Sequence, residues 1–297
     1  MTGFPLSIPS SYEARQPVML RRVLRSPKIC VGAGILLVFV VLAVFAPLIL
    51  PHGPDEQDLA LRLLPPMWDA GGQPGHPFGT DHLGRDVLAR LLFGARVSLV
   101  IGLGAASIGL LIGVMLGVLA GYFGGWVDQA VNLVLTSQLA LPGLLLAMAL
   151  VFLIGPSLMV VILVIGLMHW TYFLVVTRSA TQRIRELDYV RASRVAGAST
   201  FQILQWDVLP NLLAPIMVIF TLEVGMAILA EASLSFLGVG VPAPTATWGL
   251  MIAEGKAAMF LRPSLVVLPG LAIFLLVTAV NLLGDGLRDI LQSAAKG

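Results

Sequence analysis

The chain has 297 residues, of which 58% are hydrophobic and 11% are charged, and its formal net charge is +2. Soluble domains carry about a quarter charged residues, so this composition, with a mean hydropathy of +0.94, excludes an ordinary soluble domain. It predicts an all-α polytopic membrane protein. Cys30 is the only cysteine, which excludes intrachain disulfides and a cysteine metal cluster.

Residues 1–28 are predicted to form a cytoplasmic tail, because five basic residues and one acid lie there and Lys and Arg concentrate on the cytoplasmic side of membranes. The apolar run that follows, 29–50, is too long for the core of a signal peptide and lacks a small-residue cleavage site. We therefore expect a retained first span rather than a cleaved signal.

Six apolar runs are long enough to cross a bilayer, which takes about 20 helical residues. They cover residues 29–50, 95–121, 130–154, 157–178, 212–237 and 264–284. Only Gly155-Pro156 separates the third run from the fourth. Together these two runs are about twice as long as a bilayer is thick, so two spans are expected rather than one kinked helix.

Six spans starting from a cytoplasmic tail place both termini and the interval 179–211 in the cytoplasm and the segment 51–94 outside. The charges agree, because the interval 179–211 contains four arginines and the segment 51–94 is mainly acidic. The segment begins as a Pro- and Gly-rich loop. After Asp86, apolar residues recur at helical spacing, which fits either an interfacial helix or an extension of the second span.

The second span carries small residues at steps of four, on one helical face: Ala105, Gly109, Gly113, Gly117 and Gly121. Such a face allows two helix backbones to approach closely in lipid. We expect helix packing here, with a pore lining as the alternative.

Glu223 and Glu231 are the only acids inside a predicted span. Glu223 lies about 16 Å along the helix from Leu212, near the middle of the membrane, and Glu231 lies near the outer face. A carboxylate at mid-depth is costly unless it is buried, neutralised or facing water. It indicates either a translocation path or subunit contact, or a hydrogen-bonded packing residue. No proton relay is predicted, because no partner was placed at the same depth.

The motifs of an enzyme are missing: the sequence contains no phosphate-binding G-x-x-x-x-G-K-[ST] loop, no G-x-S-x-G and no H-E-x-x-H. The basic residues do not alternate with aromatic residues on a solvent face, so the sequence does not predict nucleic-acid binding. The histidines have no ligand-like spacing and are interpreted as solvated loop residues: His52, His76, His82 and His169.

The longest polar interval beyond residue 95 predicts a helix–turn–helix bracket, residues 183–208. Residues 183–196 can form a helix, Gly197 suits the left-handed turn that ends it, and Ser199 or Thr200 can cap a second short helix. Pro210 should separate that helix from the fifth span. A bracket joined to two spans could move them, although an amphipathic bracket resting on the membrane has the same pattern.

This interval resembles the cytoplasmic EAA loop of ABC importer permeases. The match lies in the spacing of Ala192, Gly197 and Leu209-Pro210 within Tyr189–Ala198 and Leu209–Asn211. The resemblance implies that the loop docks on an ATP-binding subunit. It assigns this role to Tyr189, Arg191, Ala192, Ser193, Gly197, Ala198, Leu209 and Pro210.

Four further segments resemble the C-type permeases of dipeptide, oligopeptide and nickel importers: Gly79–Leu88, Leu234–Gly240, Pro242–Gly249 and Asn281–Asp289. The resemblance covers about residues 20–291 and implies a type I permease domain at 29–291 with a tail at 292–297. This sequence departs from the family pattern at Leu133, Thr136, Arg191-Ala192-Ser193, Trp206-Asp207 and Gln292-Ser293.

The resemblance also implies an assembly in the bacterial inner membrane. Its members would be a homologous B-type permease, two ABC ATPases that bind ATP and Mg, and an extracytoplasmic solute-binding protein. This chain itself would hold no cofactor or metal. Short peptides are the expected substrates, with nickel chelates or glutathione as alternatives. An ion-coupled secondary transporter would need an ion site and an inverted repeat, and a purely structural membrane protein would not explain the bracket.

Overall fold

The computed structural model describes residues 25–295, and its regular structure is helical apart from one isolated bridge between Thr80 and Asp86. We number the helices α1 Pro27–Ile49, α2 Val87–Phe123, α3 Gly125–Leu139, α4 Gly143–Ile154, α5 Leu158–Ile184, α6 Asp188–Val195, α7 Thr200–Gln202, α8 Leu209–Phe236, α9 Trp248–Gly255 and α10 Ser264–Ala295. A π-helical stretch, Ile203–Val208, joins α7 to α8. Residues 1–24 of the predicted tail 1–28, and residues 296–297, lie outside the described residues.

Five helices in this part of the chain are long and apolar enough to cross a membrane: α1, α2, α5, α10 and the continuous run Thr200–Phe236. The pair α3 and α4 passes the same test together but bends by 86°. The predicted third span is therefore a broken one. Pro142 stands directly before α4, where its missing N–H removes no bond within that helix. The expected break at Gly155-Pro156 is present and separates α4 from α5.

Helix α2 has 37 residues and is about 55 Å long, well beyond the hydrocarbon thickness of about 30 Å. Asp86 caps its start by accepting a hydrogen bond from the backbone N–H of Ala89. The run after Asp86 thus extends the second span, and the interfacial helix is wrong.

The small residues of α2 bring its backbone against α5. A Cβ atom on Gly109 would lie 3.2 Å from the carbonyl carbon of His169. A Cβ on Gly113 would overlap the backbone of Trp170, and one on Gly117 or Gly121 would overlap Thr177 or Thr181. The four glycines therefore lie on the helix-packing face, because no larger side chain fits between these two backbones.

Gly113→Ala should destabilise the protein by about 1–3 kcal/mol, because the new methyl group meets backbone atoms that cannot move aside. Thermal unfolding of the purified protein in detergent measures this. Gly34→Ala in α1 is the matched control, since its Cβ meets nothing within 4 Å and alanine favours a helix. Equal stability of the two variants would show that α2 and α5 are not packed as described.

A cluster of charges, which we call the clamp, ties the segment before α2 to α9. Asp81 Oδ2 accepts hydrogen bonds from Arg85 Nε and Arg90 Nη1, each at 2.7 Å. Glu254 Oε2 on α9 accepts from Arg85 Nη2 at 2.8 Å and from Arg90 Nη1 at 2.6 Å. Both arginines are buried, with 2% and 1% of their surface exposed. Two carboxylates balance two guanidinium groups, so the clamp has no net charge.

The electrostatics of the clamp centre on Asp81. Burial alone would raise the pKa of its carboxyl group, but Arg85 and Arg90, with the backbone N–H groups of Leu83 and Arg85, bring the pKa below the ordinary 3.8. The stabilisation that the ionised Asp81 carboxylate gives the folded state is complete when the pH is above the ordinary pKa of 3.8. It is lost as the pH falls towards the lower pKa that this group has in the folded state.

Asp81→Asn should lower the free energy of unfolding by about 3 kcal/mol at neutral pH, because it leaves two buried cations with one carboxylate. The difference from wild type should shrink as the pH falls below about 4. Thermal unfolding as a function of pH measures both effects. Asp55→Asn, at an exposed position of the same segment, should change little at any pH.

Candidate functional site

The bracket connects α5 to α8 and differs in two ways from its prediction. The expected helix 183–196 is interrupted, since α5 continues to Ile184 and α6 begins only at Asp188. The expected break at Pro210 is absent, since Thr200 to Phe236 forms one helical run.

The π-helical stretch explains why Pro210 does not end the helix. There the backbone N–H of Leu209 bonds to the carbonyl of Leu204, five residues earlier. The side-chain amide of Asn211 donates to the carbonyl of Asp207 at 2.7 Å. The ladder is already displaced at this point, so a residue without an N–H is tolerated.

The turn of the bracket has the predicted chemistry. Gly197 has φ of +86°, a conformation that residues with a Cβ rarely adopt. The Ser199 hydroxyl then accepts from the backbone N–H of Gln202, whose side chain accepts from the backbone N–H of Ser199. This capping box fixes the start of the second helix at Ser199.

Apolar side chains anchor the bracket to the spans. Val190, Ile203 and Val208 are fully buried and belong to one cluster with Val118 of α2 and Leu212 of α8. The bracket is therefore packed against the ends of the spans and is not a loosely attached loop.

Hydrogen bonds strengthen this anchor. Arg185 donates to the carbonyl groups of Gly121 and Tyr122 at the end of α2. The Tyr189 hydroxyl accepts from the Asn211 side chain at 3.1 Å. Hydrogen bonds from Arg191 and Arg185 lower the pKa of the exposed Glu186 carboxyl group, which is consequently an anion at neutral pH.

Large apolar side chains of the bracket are exposed. Val195, Phe201 and Trp206 expose 90%, 73% and 71% of their surface. Of the residues assigned by resemblance, Tyr189, Arg191, Ala192, Gly197, Leu209 and Pro210 are exposed, and Ser193 and Ala198 are half-buried. Large apolar groups exposed in this way on a polar segment are typical of a protein contact.

Gly197→Ala should destabilise the turn by about 1–2 kcal/mol through its backbone alone, since nothing lies within 4 Å of the new Cβ. Hydrogen exchange of residues 188–202 measures the opening of the bracket. Gly197→Asn is the control, because asparagine tolerates positive φ better than alanine. Equal protection in Gly197→Ala and wild type would contradict the role of this turn.

A groove runs between α5 and α8 and consists of three adjoining cavities. The bracket-end cavity has a volume of about 820 Å³, and its lining includes Arg183 and Arg288. It shares Val176, Ile219 and Leu222 with the middle cavity, about 370 Å³. The middle cavity in turn shares Leu139, Thr171 and Tyr172 with the loop-end cavity, about 410 Å³. The walls are mostly apolar.

Glu223 lies in this groove and has a partner that the sequence interpretation missed. Its Oε2 is 2.5 Å from Nδ1 of His169 on α5, and both side chains are buried. His169 is thus neither in a loop nor solvated, and the prediction that Glu223 lacks a partner at its depth is wrong. The position of His169 inside the run 157–178 was the signal that could have found it.

Glu231 has a different environment. Its Oε1 accepts hydrogen bonds from the hydroxyls of Ser235, at 2.7 Å, and Thr247, at 2.9 Å. Thr247 also caps α9. Glu231 lines none of the three cavities of the groove, so in this structure it joins α8 to α9 rather than facing the groove.

Comparisons with known proteins agree along the whole chain. The family described as the inner membrane component of binding-protein-dependent transport systems matches residues 109–297, and the N-terminal TM domain of oligopeptide transport permease C matches residues 18–66. The di/tripeptide transport system permease protein DppC of Pseudomonas aeruginosa is 43% identical over 265 residues, 89% of this chain and 88% of that protein.

Two further proteins extend the comparison. The glutathione transport system permease protein GsiD of Escherichia coli is 37% identical over 297 residues, 100% of this chain and 96% of that protein. Among solved structures, a chain of the MetNI methionine ABC transporter in an inward-facing form matches with a TM-score of 0.54 and 17% identity, over 67% of this chain and 95% of that chain. At this identity the match shows the fold alone, and it confirms the predicted all-α permease fold.

Proposed function

This chain belongs to the family of inner membrane components of binding-protein-dependent transport systems, and on that premise we propose that it forms half of a translocation path for short peptides. It is a C-type permease subunit of a bacterial ABC importer, located in the inner membrane as a multi-pass protein. Such permeases are not enzymes themselves and work with ATPase and substrate-binding partners.

The proposed assembly pairs this chain with a homologous B-type permease, two ABC ATPases that bind ATP and Mg, and an extracytoplasmic binding protein. Both termini and the bracket face the cytoplasm, and the clamp faces outwards. The arginines support this orientation, because Arg183, Arg185, Arg191 and Arg194 all belong to the bracket. The B-type partner would cover the open side of the groove.

The observation that carries the proposal is an anchored bracket that still exposes large apolar side chains. Part of the bracket is buried against the ends of α2, α5 and α8, while Val195, Phe201 and Trp206 remain largely exposed. A partner seated on these side chains could move the spans without distorting the bracket. ATP-driven closure of the ATPases would thereby tilt α5 and α8 and expose the groove to substrate from the binding protein.

Short peptides are the proposed substrates because the similar permeases from Pseudomonas aeruginosa and Haemophilus influenzae are named for di/tripeptide and dipeptide transport. The similarity to a glutathione permease makes glutathione the second candidate. Glutathione is itself a peptide-like zwitterion, so both candidates need the same kind of groove. Membership in this family favours ATP-driven import over the ion-coupled alternative.

Ala192→Arg should abolish most co-purification of the ATPase subunits and reduce ATP-dependent dipeptide uptake at least tenfold, because a bulky cation enters the proposed contact surface. Ala192 is exposed, so the stability of the permease should not change. Gly197→Pro should have the same effect on uptake by distorting the turn.

Ala70→Arg is the matched control, since Ala70 is exposed in the segment at the opposite end of the molecule. It should leave ATPase association intact. If Ala192→Arg and Gly197→Pro both retain wild-type association and uptake, the bracket is not the coupling element.

A further inference from the structure

The hydrogen-bonded pair of His169 and Glu223 stands at a boundary within the groove. His169 lines the loop-end cavity, whereas Glu223 lines the middle cavity. The loop-end cavity has no other basic side chain and the middle cavity no other carboxyl group. Each of the two cavities therefore contributes one partner of the pair.

The pair is held in place from the side of α5. The side-chain amide of Gln138 at the end of α3 donates to the carbonyl of Met168 at 3.0 Å, and Trp170 Nε1 donates to its oxygen at 2.6 Å. Gly109 of α2 lies against the backbone of His169 itself. Three contacts thus fix the residues on both sides of His169, as expected of a side chain that must present its ring in one position.

A substrate that passes from the loop-end cavity to the middle cavity must separate this pair. Separation leaves a buried donor and a buried carboxylate unpaired, which is strongly unfavourable unless each finds a new partner. A zwitterion supplies both partners, because its ammonium group replaces the imidazole and its carboxylate replaces Glu223. Its charged ends form stronger hydrogen bonds than the neutral N–H and carbonyl groups of an uncharged solute.

We propose that His169 and Glu223 form a specificity-determining subsite for zwitterionic short peptides. Glu223 accepts hydrogen bonds from the free α-ammonium group, and His169 donates to the α-carboxylate. An extended dipeptide reaches about 7 Å, so the two side-chain atoms, now 2.5 Å apart, must separate by several ångströms for it to bridge them. This inference rests on the proposed function and adds the residues that recognise the ends of the peptide.

The test uses the complete importer reconstituted in liposomes, with ATP on the ATPase side, saturating binding protein and radiolabelled dialanine as the probe. The measured quantity is the ratio of dialanine transported to ATP hydrolysed. Glu223→Gln keeps the shape and one hydrogen bond to His169 but removes the anion. The ratio should fall about tenfold, with binding-protein-stimulated hydrolysis within twofold of wild type.

His169→Gln tests the same subsite from α5 and should also lower the ratio, even if either variant reduces the yield of assembled complex. Glu231→Gln is the matched control, because it removes a buried carboxylate from the same helix outside the groove. Its effects on transport and hydrolysis should be parallel, which leaves the ratio unchanged.

The subsite is refuted if both groove variants keep the wild-type ratio, or if Glu231→Gln lowers the ratio as much as they do. A wild-type complex that hydrolyses ATP but imports no dialanine would instead refute the proposed peptide substrate, and the subsite with it.

Discussion

The close contact between α2 and α5 is the constraint on which the rest of the structure depends. In lipid, helices gain little from hiding apolar side chains, so tight backbone packing must hold them together. The glycines of α2 provide it from Gly109 to Gly121. Because α2 also carries Arg90 of the clamp at one end and meets Arg185 of the bracket at the other, it links the two ends of the molecule.

The charges near the apolar interior follow from the cost of burying them unpaired. Arg178 forms two hydrogen bonds with Asp128, of 2.5 and 2.7 Å, near the bracket. The clamp neutralises two arginines at the opposite end. Glu231 is bonded to two hydroxyls. Each of these groups has a partner within the packed body of the chain, although Nε and Nη2 of Arg90 form no hydrogen bond. The pair of His169 and Glu223 differs because it borders cavities, and this location is what makes it a candidate for contact with substrate.

Much of the fold could be predicted because apolar length and small-residue spacing are local signals. The six runs, the packing face of α2 and the turn at Gly197 each depend on a few neighbouring residues. The break of the third span was missed because residues 130–154 stay apolar through Pro142, so hydropathy does not register the bend. Pro210 was misjudged for a related reason: a π-helical stretch and the side chain of Asn211 compensate for its missing N–H, and neither is visible in a residue pattern.

The groove and its pair of His169 and Glu223 could not be predicted from the sequence, because they depend on the alignment of two spans. Glu223 drew attention as an isolated carboxylate at mid-depth, but only the structure brings it to His169, 54 residues away. Trp206 is another residue that the sequence pattern left unexplained. It stands where the resembled family has a basic residue, and the structure shows that its apolar side chain is exposed on the bracket.

The arrangement of contacts determines where the molecule can open. Helices α2 and α5 meet backbone to backbone, so sliding them apart would break close packing along their length. Helices α5 and α8 pack together in two buried apolar clusters, border three adjoining cavities and are joined at mid-depth by His169 and Glu223. In the proposed mechanism a force applied at the bracket tilts α5 and α8, and the cavities along these two helices are where the groove can widen. The pair of His169 and Glu223 lies between two of these cavities, which places the proposed recognition of the peptide at that point.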